Sequence, residues 1–134
     1  MATYNWQVNL PFSASGDLSS HQYKFVKPAT TAKRVLLANG ASNPAPLGVL
    51  QNDPISGEEA QVCFLGVSQL WVSSSANIAY GDFLRCGSAG GAELHNEVGA
   101  SAANGIALEA MSAGSGYIEA LIFPFFSILW DNVP

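Results

Sequence analysis

Charged residues are scarce in this sequence. Asp, Glu, Lys and Arg make up 11% of the 134 residues, well below the roughly 25% of an ordinary soluble domain. Disordered chains combine high charge with low hydrophobicity, whereas 49% of this chain is apolar, with 7 Phe, 4 Tyr and 3 Trp. We therefore expect one folded domain, part of whose apolar surface is covered by partners.

Basic residues are the rarest charged group, with 5 Lys and Arg against 10 Asp and Glu and a net charge of −5. Nucleic-acid binding depends on clustered Lys and Arg, so no nucleic-acid partner is expected. Four of the five basic residues are nevertheless close together in the sequence: Lys24, Lys27, Lys33 and Arg34. They form either a positive patch that docks on an acidic protein surface or solvated lysines that protect strand edges from aggregation.

Cysteine and histidine are also few, with two of each. Two cysteines do not make a disulfide scaffold, and a structural zinc site normally needs four ligands. Cys63 and Cys86 lie in strand-like segments and are predicted to be free, buried thiols. His21 and His95 have no other ligand residue at metal-binding spacing. The sequence therefore predicts no metal and no cofactor.

Signals for export or membrane insertion are absent as well. Residues 1–10 lack a basic region followed by an apolar run, so we expect folding in the cytoplasm. The most apolar stretch, residues 117–130, contains Glu119 and Pro124 and is shorter than the roughly 18 apolar residues that suggest a transmembrane helix. No membrane partner is predicted.

Sequence signatures of catalysis are missing too. No Gly-x-Ser-x-Gly elbow occurs, and the Gly-rich stretch at 87–91 lacks the Lys-Ser/Thr ending of a phosphate-binding loop. Glu58 and Glu59 are neighbours in a turn, where carboxylates are normally solvated. We therefore predict that the protein is not an enzyme.

What the sequence does contain is a series of short strands. Tyr4, Trp6, Val8 and Leu10 alternate with polar residues, which is typical of a strand with one buried face. Pro11 is predicted to end this strand, and residues 13–20 to form a loop. Further strands are predicted at residues 21–26, 34–37, 47–50, 60–65, 69–72, 82–86 and 117–123.

The fold predicted from this pattern is all-β: a small single-domain β-barrel or sandwich-like fold with short strands, Gly- and Pro-rich loops and extended terminal segments. A turn at 52–57 is expected to pair the strands at 47–50 and 60–65. With 13 Gly and 7 Pro along the chain, no long helix has room to form. Residues 106–111 fit either a helix or a strand, and we favour a strand.

Aromatic residues are concentrated near the C-terminal end, at Phe123, Phe125, Phe126 and Trp130. This segment is predicted to be either the final core strand of the same subunit or a segment that packs on another chain. Large rigid aromatics dominate interface energies. From the two terminal segments we predict five interface residues: Trp6, Val8, Phe125, Phe126 and Trp130.

Two segments of the sequence are especially specific: Gly-Val-Leu-Gln-Asn-Asp-Pro at 48–54 and Gly-Ile-Ala-Leu-Glu-Ala at 105–110. They belong to a span, from 16 to 122, that resembles the capsid decoration, or cement, proteins of tailed bacteriophages. Further parts are the segments at 16–19, 23–26, 62–68 and 78–84 and the closing strand at 117–122. The order and spacing of these segments are similar to those of the family.

The resemblance implies a mainly β homotrimer that binds the outer surface of the phage head, bridges major capsid proteins and stabilises the capsid. We divide the single domain into an N-terminal arm (1–12), a β core (13–122) and an aromatic C-terminal tail (123–134). The arm and the tail extend beyond the family pattern. A tail or fibre accessory protein is the structural alternative. A small hydrolase and a small-ligand binder are the remaining classes, and a monomer with a deep apolar pocket would favour the binder.

Overall fold

The computed structural model describes residues 6–40, 45–73, 77–95, 102–112 and 114–127, with the backbone alone at 102 and 125–127. These residues form an all-β structure, as predicted, and contain no α-helix. The strands are β1 (Gln7–Ala14), β2 (Phe25–Pro28), β3 (Arg34–Leu37), β4 (Gly48–Leu50), β5 (Glu59–Val72), β6 (Phe83–Cys86), β7 (Ala92–Leu94), β8 (Ala102–Ala107) and β9 (Gly116–Ser127).

The long strand β5 is shared by two closed rings of strand pairings. In the N-terminal ring, the first half of β5 pairs with β1 and β4, and the ring continues through β2 and β3 back to β1. In the C-terminal ring, the second half of β5 pairs with β9 and β7, and β8 and β6 complete the circuit. Each ring contains one parallel pair, β1 with β3 and β5 with β7.

The core is divided in the same way, into two apolar clusters on opposite faces of β4 and β5. Val49 and Cys63 are register partners and both belong to the cluster inside the C-terminal ring. Their sequence neighbours Leu50 and Val62 are also partners, and both belong to the cluster of the N-terminal ring. Because side chains alternate along a strand, a strand buried on both faces is apolar throughout. This explains the uninterrupted apolar run at 47–50.

The predicted pairing across the turn at 52–57 is confirmed, since β4 and β5 are antiparallel neighbours. The two strands predicted at 60–65 and 69–72 are one strand, β5, because Gly66 continues the strand with a φ of +123°. The strand favoured at 106–111 is only partly right. β8 ends at Ala107, and Met111 forms an isolated bridge with Ile78.

The prediction that Pro11 ends the first strand is wrong, since β1 runs through Pro11 to Ala14. The N–H of Ser13 donates to Lys33 O, whereas the N–H of Ala14 donates to Glu58 O on the β5 side. By this alternation the nitrogen of Pro11 faces away from β5, so its missing N–H removes no hydrogen bond between β1 and β5. Residues 13–14 therefore belong to a strand and not to the predicted loop.

Two further boundaries differ from prediction. Residues 21–24 form a turn before β2, although they were predicted as the start of a strand. At the other end of the chain, β9 continues beyond residue 123 to Ser127 and pairs with β8 of the same chain. The part of the aromatic tail at 123–127 is thus a strand of its own subunit, while residues 128–134 lie outside the described residues.

Candidate interaction surfaces

The N-terminal strand is held against the middle of β5. The N–H of Val67 donates to the carbonyl oxygen of Trp6 at 3.0 Å. Gly66 permits this approach, because a Cβ atom at that position would lie 2.2 Å from the same oxygen. The Trp6 side chain is 61% exposed, and Val8 is half-buried. Trp6 thus presents a large apolar surface to solvent in the single subunit.

Two irregularities in the strand ladders lie beside β1. Val8 pairs with Leu65 and Asn9 pairs with Cys63, which leaves Phe64 as an extra residue in β5. On β9, three residues that include Pro124 lie opposite the single residue Asn104 of β8. Bulges of this kind redirect side chains and interrupt pairing.

An apolar groove of about 330 Å³ lies at these irregularities. Its lining comes from β1, β5, the segment before β4, and β9: Leu10, Phe12, Ala45, Pro46, Leu47, Val62, Phe64 and Pro124. Leu10 is 46% exposed, whereas Val62 is part of the N-terminal ring's core. The described residues that line the groove are all apolar, so the apolar groove is suited to contact with another apolar surface.

Four of the five predicted interface residues lie in β1 and β9 or directly before β1, and the fifth lies outside the described structure. Trp6 immediately precedes β1 and Val8 lies within it, on the strand that also carries Leu10 and Phe12. Phe125 and Phe126 follow Pro124 in β9, and Trp130 lies outside the described residues. The interface role of these five residues stays a prediction.

Sequence reasoning missed other groove residues, notably Phe12 and Phe64. Phe12 continues the alternation of Trp6, Val8 and Leu10 past Pro11, so the pattern itself contained the signal. Phe64 lines the groove beside a bulge, and no feature of the sequence marks that bulge. Leu47 also lines the groove, although it was predicted only as the first residue of the strand at 47–50.

The two cysteines are free and buried, as predicted. Burial raises the pKa of Cys63, and burial raises the pKa of Cys86 to about 11. The reactive form of cysteine is the thiolate, so both are poor nucleophiles at neutral pH. Within the described ranges, no group of three His, Cys, Asp or Glu is arranged to hold a metal ion.

Of the four clustered basic residues, Lys24 lies close to a histidine and an aromatic ring. Lys24 lies with its Nζ atom 3.3 Å from His21 Nδ1 and 6.0 Å from the ring centre of Trp71. Burial, followed by the charge of Lys24, lowers the pKa of His21. Lys33 and Arg34 are exposed at the start of β3. Docking of this region on an acidic protein surface stays a prediction.

Within the part of the chain that the structure describes, no helix has the length and hydropathy that a bilayer-spanning helix needs.

Solved structures share the fold of this chain, although its sequence matches no known family. No protein-family model matches the chain, and no curated protein matches it. Among solved structures, the chain is similar to the N base of the head fiber protein gp8.5 of bacteriophage phi29. The two superpose with a TM-score of 0.63 at 19% sequence identity, over 92% of this chain and 100% of the fiber base. This chain has the fold of that fiber base.

Proposed function

We propose that the chain is a structural protein of a bacteriophage virion that binds the outer surface of the head and has no catalytic activity. The observation that carries the proposal is the likeness of fold to a head fiber base across almost the whole chain. The sequence resemblance to decoration proteins supports it from a separate direction. Both likenesses concern proteins of the phage head.

We further propose that the subunit acts as a homotrimer whose partner is the major capsid protein. The support is the apolar groove together with exposed Trp6 and Leu10, which leave apolar surface on a subunit with few charges. Packing of copies around a symmetry axis covers such surface. A trimer that contacts several capsid subunits gains affinity through effective concentration, so individually weak contacts stabilise the shell together.

A second candidate is the base of a fibre or another accessory protein of the particle. The similar solved structure is itself a head fiber base, which favours this alternative directly. The two candidates differ in mechanism, because a cement protein stabilises the shell, whereas a fibre base anchors another component to it. Both require binding to an assembled particle.

The test is to mix purified protein with heads that lack it and to sediment the mixture over a concentration series. Saturable binding at a fixed ratio to capsid subunits is the expected result. If the bound heads then resist a higher temperature before they release DNA, the protein acts as a cement. Saturable binding without any gain in heat resistance favours the fibre base. If nothing sediments with the heads, head binding is wrong.

A further inference from the structure

Three aromatic side chains form a patch on the outward face of β5 and β9. Trp71 and Tyr117 are register partners on this face, and their ring centres are 5.0 Å apart. The Tyr23 ring lies 5.9 Å from that of Tyr117, in an edge-to-face arrangement. Tyr117 is 55% exposed, and the other two rings are half-buried. We call these three residues the aromatic patch.

Tyr23 has a backbone conformation that bulky residues rarely adopt. Its φ is +68°, in the left-handed region. Its N–H donates to Leu50 O at 2.7 Å, and its carbonyl oxygen accepts from the N–H of Trp71 at 2.9 Å. These two bonds fix the turn against β4 and β5, and with it the position of the ring. Strained residues of this kind are concentrated at functional sites.

A small polar pocket of about 120 Å³ adjoins the patch and shares Tyr23 with it. Gln69 and Glu119 are register partners on the same face as Trp71 and Tyr117. Gln69 lies two residues before Trp71 in β5, and Glu119 lies two residues after Tyr117 in β9. Five more residues complete the lining of the pocket: Gln7, Tyr23, Gln51, Val67 and Ser68.

The wall of this pocket is held in place by hydrogen bonds. Gln51 donates through Nε2 to Ser68 Oγ at 2.8 Å and accepts at Oε1 from Gln7 Nε2 at 3.0 Å. Gln7 also donates to Val67 O at 2.8 Å. Ser68 is almost fully buried, and its hydroxyl donates to Gln69 O. A fixed polar wall needs little reorganisation when a ligand binds.

We propose that the aromatic patch and the polar pocket together bind a neutral oligosaccharide. A sugar ring has an apolar face of C–H groups and a rim of hydroxyls that both donate and accept hydrogen bonds. The aromatic ring of Tyr117, which is 55% exposed, suits the apolar face of the sugar. The amide of Gln69 supplies a donor and an acceptor, and the carboxylate of Glu119 is a further acceptor. These groups suit the hydroxyls at the rim of the sugar.

The size and charge of the site favour a sugar over other ligands. The pocket has room for a few polar atoms, such as the hydroxyls at the rim of one sugar ring, and its lining is mostly polar. One carboxylate, Glu119, lines it, and one ammonium, Lys24, lies near the patch. The net charge of −5 opposes a nucleic-acid ligand. The site is separate from the apolar groove, so this proposal does not depend on head binding.

The experiment is calorimetric titration of the full chain with four hexasaccharides: chitohexaose, cellohexaose, maltohexaose and mannohexaose. We expect saturable binding of at least one. Tyr117→Ala is expected to weaken it about tenfold or more, as loss of a central aromatic contact does. Tyr80→Ala is the matched control, because Tyr80 is 74% exposed and belongs to neither the patch nor the pocket. The control is expected to bind as the parent does.

Thermal unfolding of each variant is measured beside the titration, so that loss of fold is not mistaken for loss of binding. Should a folded Tyr117→Ala variant fail to affect binding, the patch is not the site. The proposal is also overturned if none of the four sugars binds. If sugars do not bind but Tyr117→Ala reduces sedimentation with phage heads, the patch is a protein contact.

Discussion

The carbonyl oxygen of Trp6 lies where a side chain on Gly66 would begin. A Cβ atom built on Gly66 is 2.2 Å from this oxygen, closer than any real contact, and the φ of Gly66 is +123°. The start of the N-terminal strand can therefore pack on β5 only because residue 66 has no side chain. One glycine thus links the position of exposed Trp6 to the long central strand.

Replacement of Gly66 by alanine is expected to lower the free energy of unfolding by about 3–4 kcal/mol, because backbone strain and a steric clash add together. Gly16→Ala is the matched control. Gly16 also has a positive φ, of +109°, but no atom lies within 4 Å of its Cβ position. In Gly16→Ala, backbone strain alone is expected to lower the free energy of unfolding, by about 1–2 kcal/mol. Chemical denaturation measures both values, and equal losses would show that the contact with Trp6 does not matter.

Asn52 is expected to stabilise the turn between β4 and β5. Its Nδ2 donates to Glu59 O at 2.8 Å, and its Oδ1 accepts from the N–H of Gln61 at 3.0 Å. Asn52→Ala removes both bonds and is expected to cost about 1–2 kcal/mol in chemical denaturation. Asp53→Ala changes an exposed neighbour and is expected to be nearly neutral. If the two variants are equally stable, the side-chain bridge contributes nothing.

Leu10→Gln is expected to weaken self-association while the fold is retained, since Leu10 is 46% exposed in the apolar groove. Light scattering after size-exclusion chromatography should show trimers for the parent and smaller species for the variant. Ile55→Gln serves as the control, because Ile55 is 54% exposed outside the groove. A parent that is monomeric at all concentrations would contradict the trimer and favour a small apolar ligand in the groove.

Cys86 is expected to make stability depend on alkaline pH. Burial raises its pKa from 9.0 to about 11 in the folded protein. The unfolded chain therefore loses the thiol proton first, so the stabilisation is complete below pH 9 and is lost as pH rises towards 11. The loss amounts to about 2–3 kcal/mol at 1.4 kcal/mol per pKa unit.

Other groups titrate over the same range, so the comparison is with Cys86→Ala. The decrease in the free energy of unfolding between pH 8.5 and 11 should be smaller in this variant than in the parent, whatever its stability at neutral pH. Urea denaturation at a series of pH values gives both slopes. Parallel curves would mean that Cys86 does not titrate differently in the folded state.

Local patterns in the sequence were enough to predict the fold class and several elements. The turn at 52–57 could be predicted because its residue types restrict the backbone directly. The two buried cysteines could be predicted because both lie in strand-like segments and two cysteines are too few for a disulfide scaffold. Pro11 misled the prediction. Proline usually ends a strand, but here the Pro11 nitrogen faces away from β5, so the strand continues. The strands predicted at 60–65 and 69–72 are joined through Gly66, which makes room for a neighbouring strand.

The surfaces were harder to predict than the strands. The alternation at 4–10 indicated a strand with an apolar face, yet the groove beside it also needs the bulge at Phe64, which depends on the register of β1 against β5. The aromatic patch brings together Tyr23, Trp71 and Tyr117, which are far apart in sequence and meet only through strand pairing and one strained turn. No local pattern indicates such a meeting.

Because both rings need β5, the order of synthesis determines the order in which they close. Every strand of the N-terminal ring is made by the time β5 leaves the ribosome, whereas the C-terminal ring must wait for β9, which starts at Gly116. During that interval, the second half of β5 lacks its main partner. An unpaired strand edge invites pairing with other nascent chains. The growing chain therefore passes through a stage in which aggregation competes with completion of the fold.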